Sequence, residues 1–198
     1  KNTKEVPGNG KDDDGNGYID DKYGFNFVGC FKLNEGFVND KLNGKPAADA
    51  VKGNLLNWSA GTGHGTHVAG IIGATNNNGK GVSSIAGGTG NGDGVRLMTC
   101  QIFEGNKASS DAQSAAAFIY AADNGACIAQ CSYGNANIIT SDDIYINGGE
   151  IEHDGQTIKV NSSTLENAAL KYFLDPANSN HESLEGNMAI FAAGNHSN

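Results

Sequence analysis

Three apolar runs separated by two helical patterns constrain the fold of this chain more than any other feature. Residues 95–103 and 126–134 are nearly continuous in apolar side chains, the pattern of a strand covered on both faces in a parallel sheet. Residues 187–195 form a third such run. Between the first two, Ser109, Ser110 and Asp111 open a helix in which Ala115, Phe118, Ile119 and Ala122 recur every three or four positions. Asn124 and Gly125 close it, with glycine where a left-handed backbone is needed. Before the third run, Ser163-Thr164-Leu165-Glu166 has the spacing of a capping box, and Leu165, Ala168, Ala169, Tyr172 and Phe173 give the next helix an apolar face. Strand, helix, strand, helix, strand is the order of an α/β domain with a parallel sheet flanked by helices. A length of 198 residues suffices for one such domain with its own core.

Residues 1–23 carry a separate signal. Asp12, Asp13, Asp14, Asp20 and Asp21 fall within ten positions of one another. With Asp12 as position 1 of a calcium loop, Asp14 stands at 3 and Asn16 at 5. Gly17 makes the sharp turn, Tyr18 offers a main-chain carbonyl at 7, and Asp20 falls at 9. Position 12 holds Tyr23 instead of the closing glutamate, and no flanking helices are apparent, so the loop is similar to an EF-hand without being one. Asp21 is the candidate to complete the shell. The expected ligands for Ca²⁺ are thus Asp12, Asp14, Asn16, Tyr18, Asp20 and Asp21, because without a cation so many aspartates repel one another.

Beyond this loop, residues 23–29 read as a short strand and 30–60 as an irregular polar connection. Residues 135–162 form a polar insertion, with a hairpin expected from 144–151 and 156–160. Cys30, Cys100, Cys127 and Cys131 form no Cys-x-x-Cys pair, and the last three sit in apolar runs as buried thiols would. The net charge of −9 argues against binding nucleic acid, which takes a basic surface. No apolar run approaches the roughly 18 residues of a membrane span.

Chemistry enters at Gly63-His64-Gly65-Thr66-His67-Val68-Ala69-Gly70. It reads as a glycine turn leading into a helix from about residue 66 to 74, with Thr66 near its start and Val68, Ile71 and Ile72 facing a core. A histidine at the tip of a helix on a rigid base suits a general base. The string His-Gly-Thr-His-Val-Ala-Gly resembles the histidine motif of the subtilisin-like serine proteases, the subtilases. The resemblance implies a subtilisin-like parallel sheet, peptide-bond hydrolysis by acyl transfer, and His64 as the base of the triad. It also implies that Asn195, in Ala192-Ala193-Gly194-Asn195, donates to the oxyanion, and that Ser132, Tyr133 and Gly134 bind a polypeptide substrate along their backbone. The acidic loop resembles an insertion of some bacterial subtilases.

Two parts of that pattern are missing. No Asp sits at the end of an early apolar strand, and Gly-Thr-Ser-Met-Ala-x-Pro is nowhere in the chain. The sequence therefore reads as an incomplete subtilase catalytic domain over 1–198, inactive alone, whose parent is a serine endopeptidase. In the family the Asp-bearing strand lies inside the sheet, so its absence implies bare sheet edges and self-association. Lys1-Asn2-Thr3-Lys4 reads as the interior of a longer chain, with any export signal upstream, and the resemblance implies an extracytoplasmic or secreted protein. The alternative is a non-catalytic calcium-binding interaction module with a degenerate protease fold.

Overall fold

The structure is a computed structural model. It describes residues 2–46, 50–52, 62–105, 107–133, 150–153, 156–159, 164–178 and 186–192. In chain order the strands and helices are β1 (Tyr18–Ile19), β2 (Gly24–Asn26), α1 (Glu35–Leu42), β3 (Val51–Lys52), α2 (His64–Gly73), β4 (Thr99–Gln101) and β5 (Phe103–Glu104). They continue with β6 (Lys107–Ala108), α3 (Asp111–Asp123), β7 (Ile128–Cys131), β8 (Glu150–His153), β9 (Gln156–Lys159), α4 (Thr164–Leu174) and β10 (Met188–Phe191). The chain divides into two compact units, Lys1–Val28 with Ala50–Ala108, and Gly29–Asp49 with Ser109–Asn198. This mixture of helices and small sheets is consistent with an α/β fold. Among the described residues the strands pair two by two, and the β1–β3, β2–β4 and β7–β10 pairs are parallel.

In the first unit, Tyr18, Phe25 and Phe27 are fully buried and meet edge to face, with ring centroids 4.9 Å apart for Tyr18–Phe25 and 5.1 Å for Phe25–Phe27. Such pairs add to the burial of their area, because the positive ring edge meets the negative face. β2 enters its pairing with β4 through Gly24, at φ +124°. A Cβ there would lie 2.0 Å from the Thr99 carbonyl oxygen, so only glycine lets the two backbones pair. The apolar run 95–103 is shorter as a strand than its sequence predicts, and Val95, Leu97 and Phe103 are 46%, 41% and 47% exposed. Among the described residues β4 pairs only with β2, so a run composed for double coverage is covered in part.

The second unit is built on α3. Ser110 caps it reciprocally: the Gln113 amide donates to Ser110 Oγ, and the Ser110 amide donates to Gln113 Oε1. Gly125 closes it at φ +76°. Ala115, Phe118, Ile119 and Ala122 are all buried, as their spacing predicts. Helices α1 and α4 pack against α3. On the β7–β10 ladder, Phe191 lies on the covered face, its ring 6.4 Å from that of Phe118. The other face carries Ile128, Met188 and Ile190, which are 62%, 57% and 42% exposed. The double coverage expected of these strands is therefore met on one side only.

Helix α1 lies in the stretch expected to be irregular. Asn34 caps it by accepting from the Phe37 amide at 3.1 Å, yet Val38 is its one buried residue, so no helical apolar period marks it. The hairpin in the insertion forms, with β8 and β9 antiparallel and Ile151 opposite Ile158, though its first strand begins at Glu150. Ser163, the expected cap of α4, lies outside the described residues.

A half-buried tether joins the three helices. Tyr172 Oη of α4 donates to Asp123 Oδ1 of α3 at 2.9 Å, and Lys41 Nζ of α1 lies 3.6 Å from Asp123 Oδ2. Burial and the Asp123 hydrogen bond push the Tyr172 phenol up to about 12 from 10.0. A raised folded value means the unfolded chain releases this proton first. The phenol thus contributes fully below pH 10 and loses its contribution as the pH rises toward 12. Urea melts across that window should show Tyr172→Phe less alkali-sensitive than the parent chain; equal sensitivity would remove the tether from the account.

Candidate active site

His64 is the first residue of α2, preceded by Gly63 as a left-handed N-cap at φ +75°. That conformation disfavours side chains other than glycine, so the turn fixes where the helix begins. The helix starts two residues earlier than the sequence predicts, and Thr66 lies within it and does not cap it. Thr62 Oγ1 accepts from the His64 amide instead, at 3.4 Å. The imidazole is exposed, and among the described residues it makes no ion pair with a carboxylate. None of the α2 residues is buried: of the expected core face, Val68 and Ile72 are half-buried and Ile71 is 52% exposed, so the face is covered only in part. What does pack on this helix is its C-terminal end. A Cβ on Gly73 would come within 2.8 Å of Val95 Cγ1, so the glycine lets residues 95–97 lie against the last turn.

After α2 the chain winds tightly over residues 74–95. The Ile85 and Ala86 amides donate to the Ile71 and Ile72 carbonyls, and the Asn76 side chain bonds main-chain groups of Ser84 and Gly88. This loop anchors the C-terminus of the helix and leaves its histidine end open.

Ser132 and Tyr133 leave the C-terminal end of β7, the end of a strand at which open α/β sheets place function. Both are half-buried, and the Tyr133 ring meets Phe191 at 6.4 Å, edge to face. Ser132 Oγ accepts from Gln130 Nε2 at 3.0 Å. Behind them Cys131 is 3% exposed, and burial pushes its thiol up to about 11. Burial also raises the Glu166 carboxyl, and the negative charge of Asp111 raises it further. Asp111 belongs with Phe31, Leu33 and Glu35 to the lining of an open pocket of about 510 Å³ at the N-termini of α1 and α3. Gly134 and Asn195 lie outside the described residues.

In the acidic loop the structure brings together two of the expected carboxylates. Carboxylate oxygens of Asp12 and Asp14 gather with one from Glu5, all within 4.8 Å of one another. Asp20 faces elsewhere: its two oxygens accept from the Asn9 and Gly10 amides at 3.1 and 3.2 Å. Asn16 Oδ1 accepts from the Tyr18 amide, and Asn16 Nδ2 donates to Asp21 Oδ2 at 2.8 Å. Asp21 is buried and also accepts from Asn2 Nδ2. The Tyr18 ring belongs to the aromatic core.

A sequence model of the subtilase family matches residues 40–198, a span that holds His64, Ser132–Gly134 and Asn195. The chain belongs to the subtilase family. Among curated proteins it is similar to Subtilisin-like protease 1 of Plasmodium vivax, 35% identical over 107 residues. That alignment covers 54% of this chain and 12% of the relative, so the chain spans a small part of the relative's length. No solved structure matches it.

Within this subtilase, Glu5 is a member of the carboxylate cluster that the sequence does not point to. It stands outside the alternating pattern of the loop and joins the cluster through the fold of residues 2–6. The four cysteines all carry thiols. Cys30, Cys100 and Cys127 are half-buried, so burial of the latter two is less complete than their apolar runs suggest. Because the thiolate is the reactive form, titration with Ellman's reagent at pH 8 should modify these three first and reach Cys131 only on unfolding. Early modification of Cys131 would contradict its burial.

Proposed function

We propose that this chain supplies the general base and the oxyanion-stabilising amide of a serine endopeptidase acting on polypeptides. The observation that carries this is the His64 motif at the open tip of α2, inside the span that matches the subtilase family. In this reading a nucleophilic serine from outside the 198 residues attacks the scissile carbonyl. His64 takes the serine proton and later gives it to the departing amine. The Asn195 carboxamide donates to the developing oxyanion. Ser132, Tyr133 and Gly134 pair with the extended substrate as an added strand would. An aspartate, also from outside the 198 residues, holds the imidazole in the correct tautomer.

The uncovered apolar groups support a sheet that continues beyond the described strands. Ile128, Met188 and Ile190 on one ladder, and Ile71 on α2, are the kind of side chains that a full subtilisin-like layer would cover. The same groups favour self-association of the isolated chain. Among the described residues no helix is long and apolar enough to cross a membrane. Secretion is the localisation that accords with the family.

With serine and aspartate absent there is no acyl-enzyme. A fluorophosphonate probe should leave the 198-residue chain unlabelled and label the parent protein; labelling of the short chain would overturn its inactivity. In the parent, Asn195→Ala should lower kcat by about 10²–10³, a figure carried over from another member of the family, with KM little changed. A fall of less than about threefold would remove Asn195 from the oxyanion role.

A further inference from the structure

Seven asparagines in this chain precede a glycine: Asn9, Asn16, Asn43, Asn78, Asn91, Asn124 and Asn147. Asparagine is thermally labile, and an Asn-Gly pair loses its side-chain amide readily because glycine puts no side chain in the way of its own nitrogen. That nitrogen has to be free to attack. In four of the pairs it is engaged. The Gly10 amide donates to Asp20 Oδ2 at 3.2 Å and the Gly17 amide to Asp12 Oδ2 at 2.9 Å. The Gly44 and Gly125 amides donate to the Lys41 and Ala122 carbonyls, both at 2.9 Å. Among the described residues the Gly79 and Gly92 amides have no such acceptor. The pair at Asn147 lies outside the described residues.

We propose that Asn78 is a site of spontaneous deamidation, in which the Gly79 nitrogen closes on the Asn78 side chain. This goes beyond the peptidase reading and does not rest on it. Asn78 and Gly79 are both exposed, so water reaches them. The Lys80 amide donates to Asn78 Oδ1 at 2.9 Å. That bond folds the side chain back over the Gly79 peptide, and it sets a donor on the oxygen that gathers charge as the nitrogen attacks. The ammonium of Lys80 adds a positive charge on the next residue, which favours loss of the Gly79 amide proton. Asn91 differs. Its Nδ2 donates to Thr89 Oγ1 at 2.9 Å, and among the described residues no donor meets its Oδ1. The Asp93 carboxylate, held below its usual range by the Thr89 amide and hydroxyl, also takes the Asn91 amide. A negative charge there opposes loss of the Gly92 proton. Asn78 is therefore the first of the described pairs to react.

Water is the only co-reactant. The Gly79 nitrogen gives its proton to hydroxide and forms a bond to Asn78 Cγ. The bond from Cγ to Nδ2 breaks, and the side-chain nitrogen leaves as ammonia with a proton from water. The cyclic imide then takes up water at one of its two carbonyls. Opening at the side-chain carbonyl leaves aspartate, and opening at the main-chain carbonyl leaves isoaspartate. Both add a negative charge, and isoaspartate also lengthens the main chain by a methylene group. The change falls in a tight loop. Asn76 bonds the main chain of Ser84 and Gly88, and Asn77, at φ +55°, donates from Nδ2 to the Thr89 carbonyl at 3.0 Å. Isoaspartate at position 78 breaks the bond to the Lys80 amide and shifts that register, so the loop that anchors the C-terminal end of α2 loosens.

Peptide mapping by mass spectrometry tests this on the full chain, incubated in mildly alkaline buffer and sampled over time. Conversion is expected first at Asn78, as a pair of aspartate and isoaspartate products. Asn9, Asn16, Asn43 and Asn124 should convert at least about fivefold more slowly, the scale of one hydrogen bond that must open first. The rate at Asn78 should rise with pH, because the attacking species is the deprotonated amide. The same chain in urea is the control: with the folded contacts gone, the pairs should convert at similar rates. Conversion at Asn78 no faster than at those four in the folded chain would overturn the proposal. Conversion at Asn91 ahead of Asn78 would overturn the part given to Lys80. Chain enriched in the isoaspartate form should melt at a lower temperature than fresh chain, and an unchanged melting temperature would overturn the loosening of the loop.

Discussion

The burial of α3 is the constraint on which the second unit depends. From Ala112 to Ala122 nearly all of its residues are buried. Small alanines let α1 and α4 approach its sides, while Phe118 reaches the ladder through Phe191. A helix this enclosed cannot shift without opening every layer at once. The register of β7 against β10 depends on it, because Phe191 must meet α3 while its neighbour Ile190 faces away. The exit of Ser132 and Tyr133 from the end of β7 is placed by the same packing.

The first unit solves a different problem. Its aromatic core is small, and much of its chain is glycine-rich loop whose shape comes from hydrogen bonds more than from apolar burial. Gly63 illustrates the exchange. It gives no packing, yet its left-handed backbone presents His64 at a helix tip with the ring in the open. A general base has to reach both nucleophile and leaving group, so exposure at this position is consistent with function, while the rigid part lies behind it, where Gly73 lets Val95 and Leu97 close on the helix.

Much of this was legible in the sequence, and the exceptions have physical reasons. α3 announced itself through its cap, its apolar spacing and its closing glycine, and each formed as read. The histidine motif was legible because glycine, threonine and small residues around His64 serve one local geometry. α1 was hidden because a helix with only Val38 buried has no apolar period to read. The extent of the runs at 95–103 and 126–134 was overread, since apolar composition records coverage that the described residues supply on one face only. The approach of Glu5 to Asp12 and Asp14 was invisible because a cluster closed by tertiary folding leaves no spacing rule within one loop.

The acidic loop shows how such a closure works energetically. Its aspartates act first as acceptors: Asp13 takes the Val6 amide, Asp14 and Asp21 take the Asn2 side chain, and Asp20 takes Asn9 and Gly10. The Asn2 amide adds a bond to the Lys22 carbonyl. These bonds pin the start of the chain across the loop that leads into β1 and β2. Charge-assisted bonds to amides stabilise each carboxylate singly, but they do nothing for the repulsion between carboxylates, which grows as the loop tightens. The hydrogen bonds that tie residues 2–6 to residues 13–22 therefore hold this segment in place against the mutual repulsion of its carboxylates.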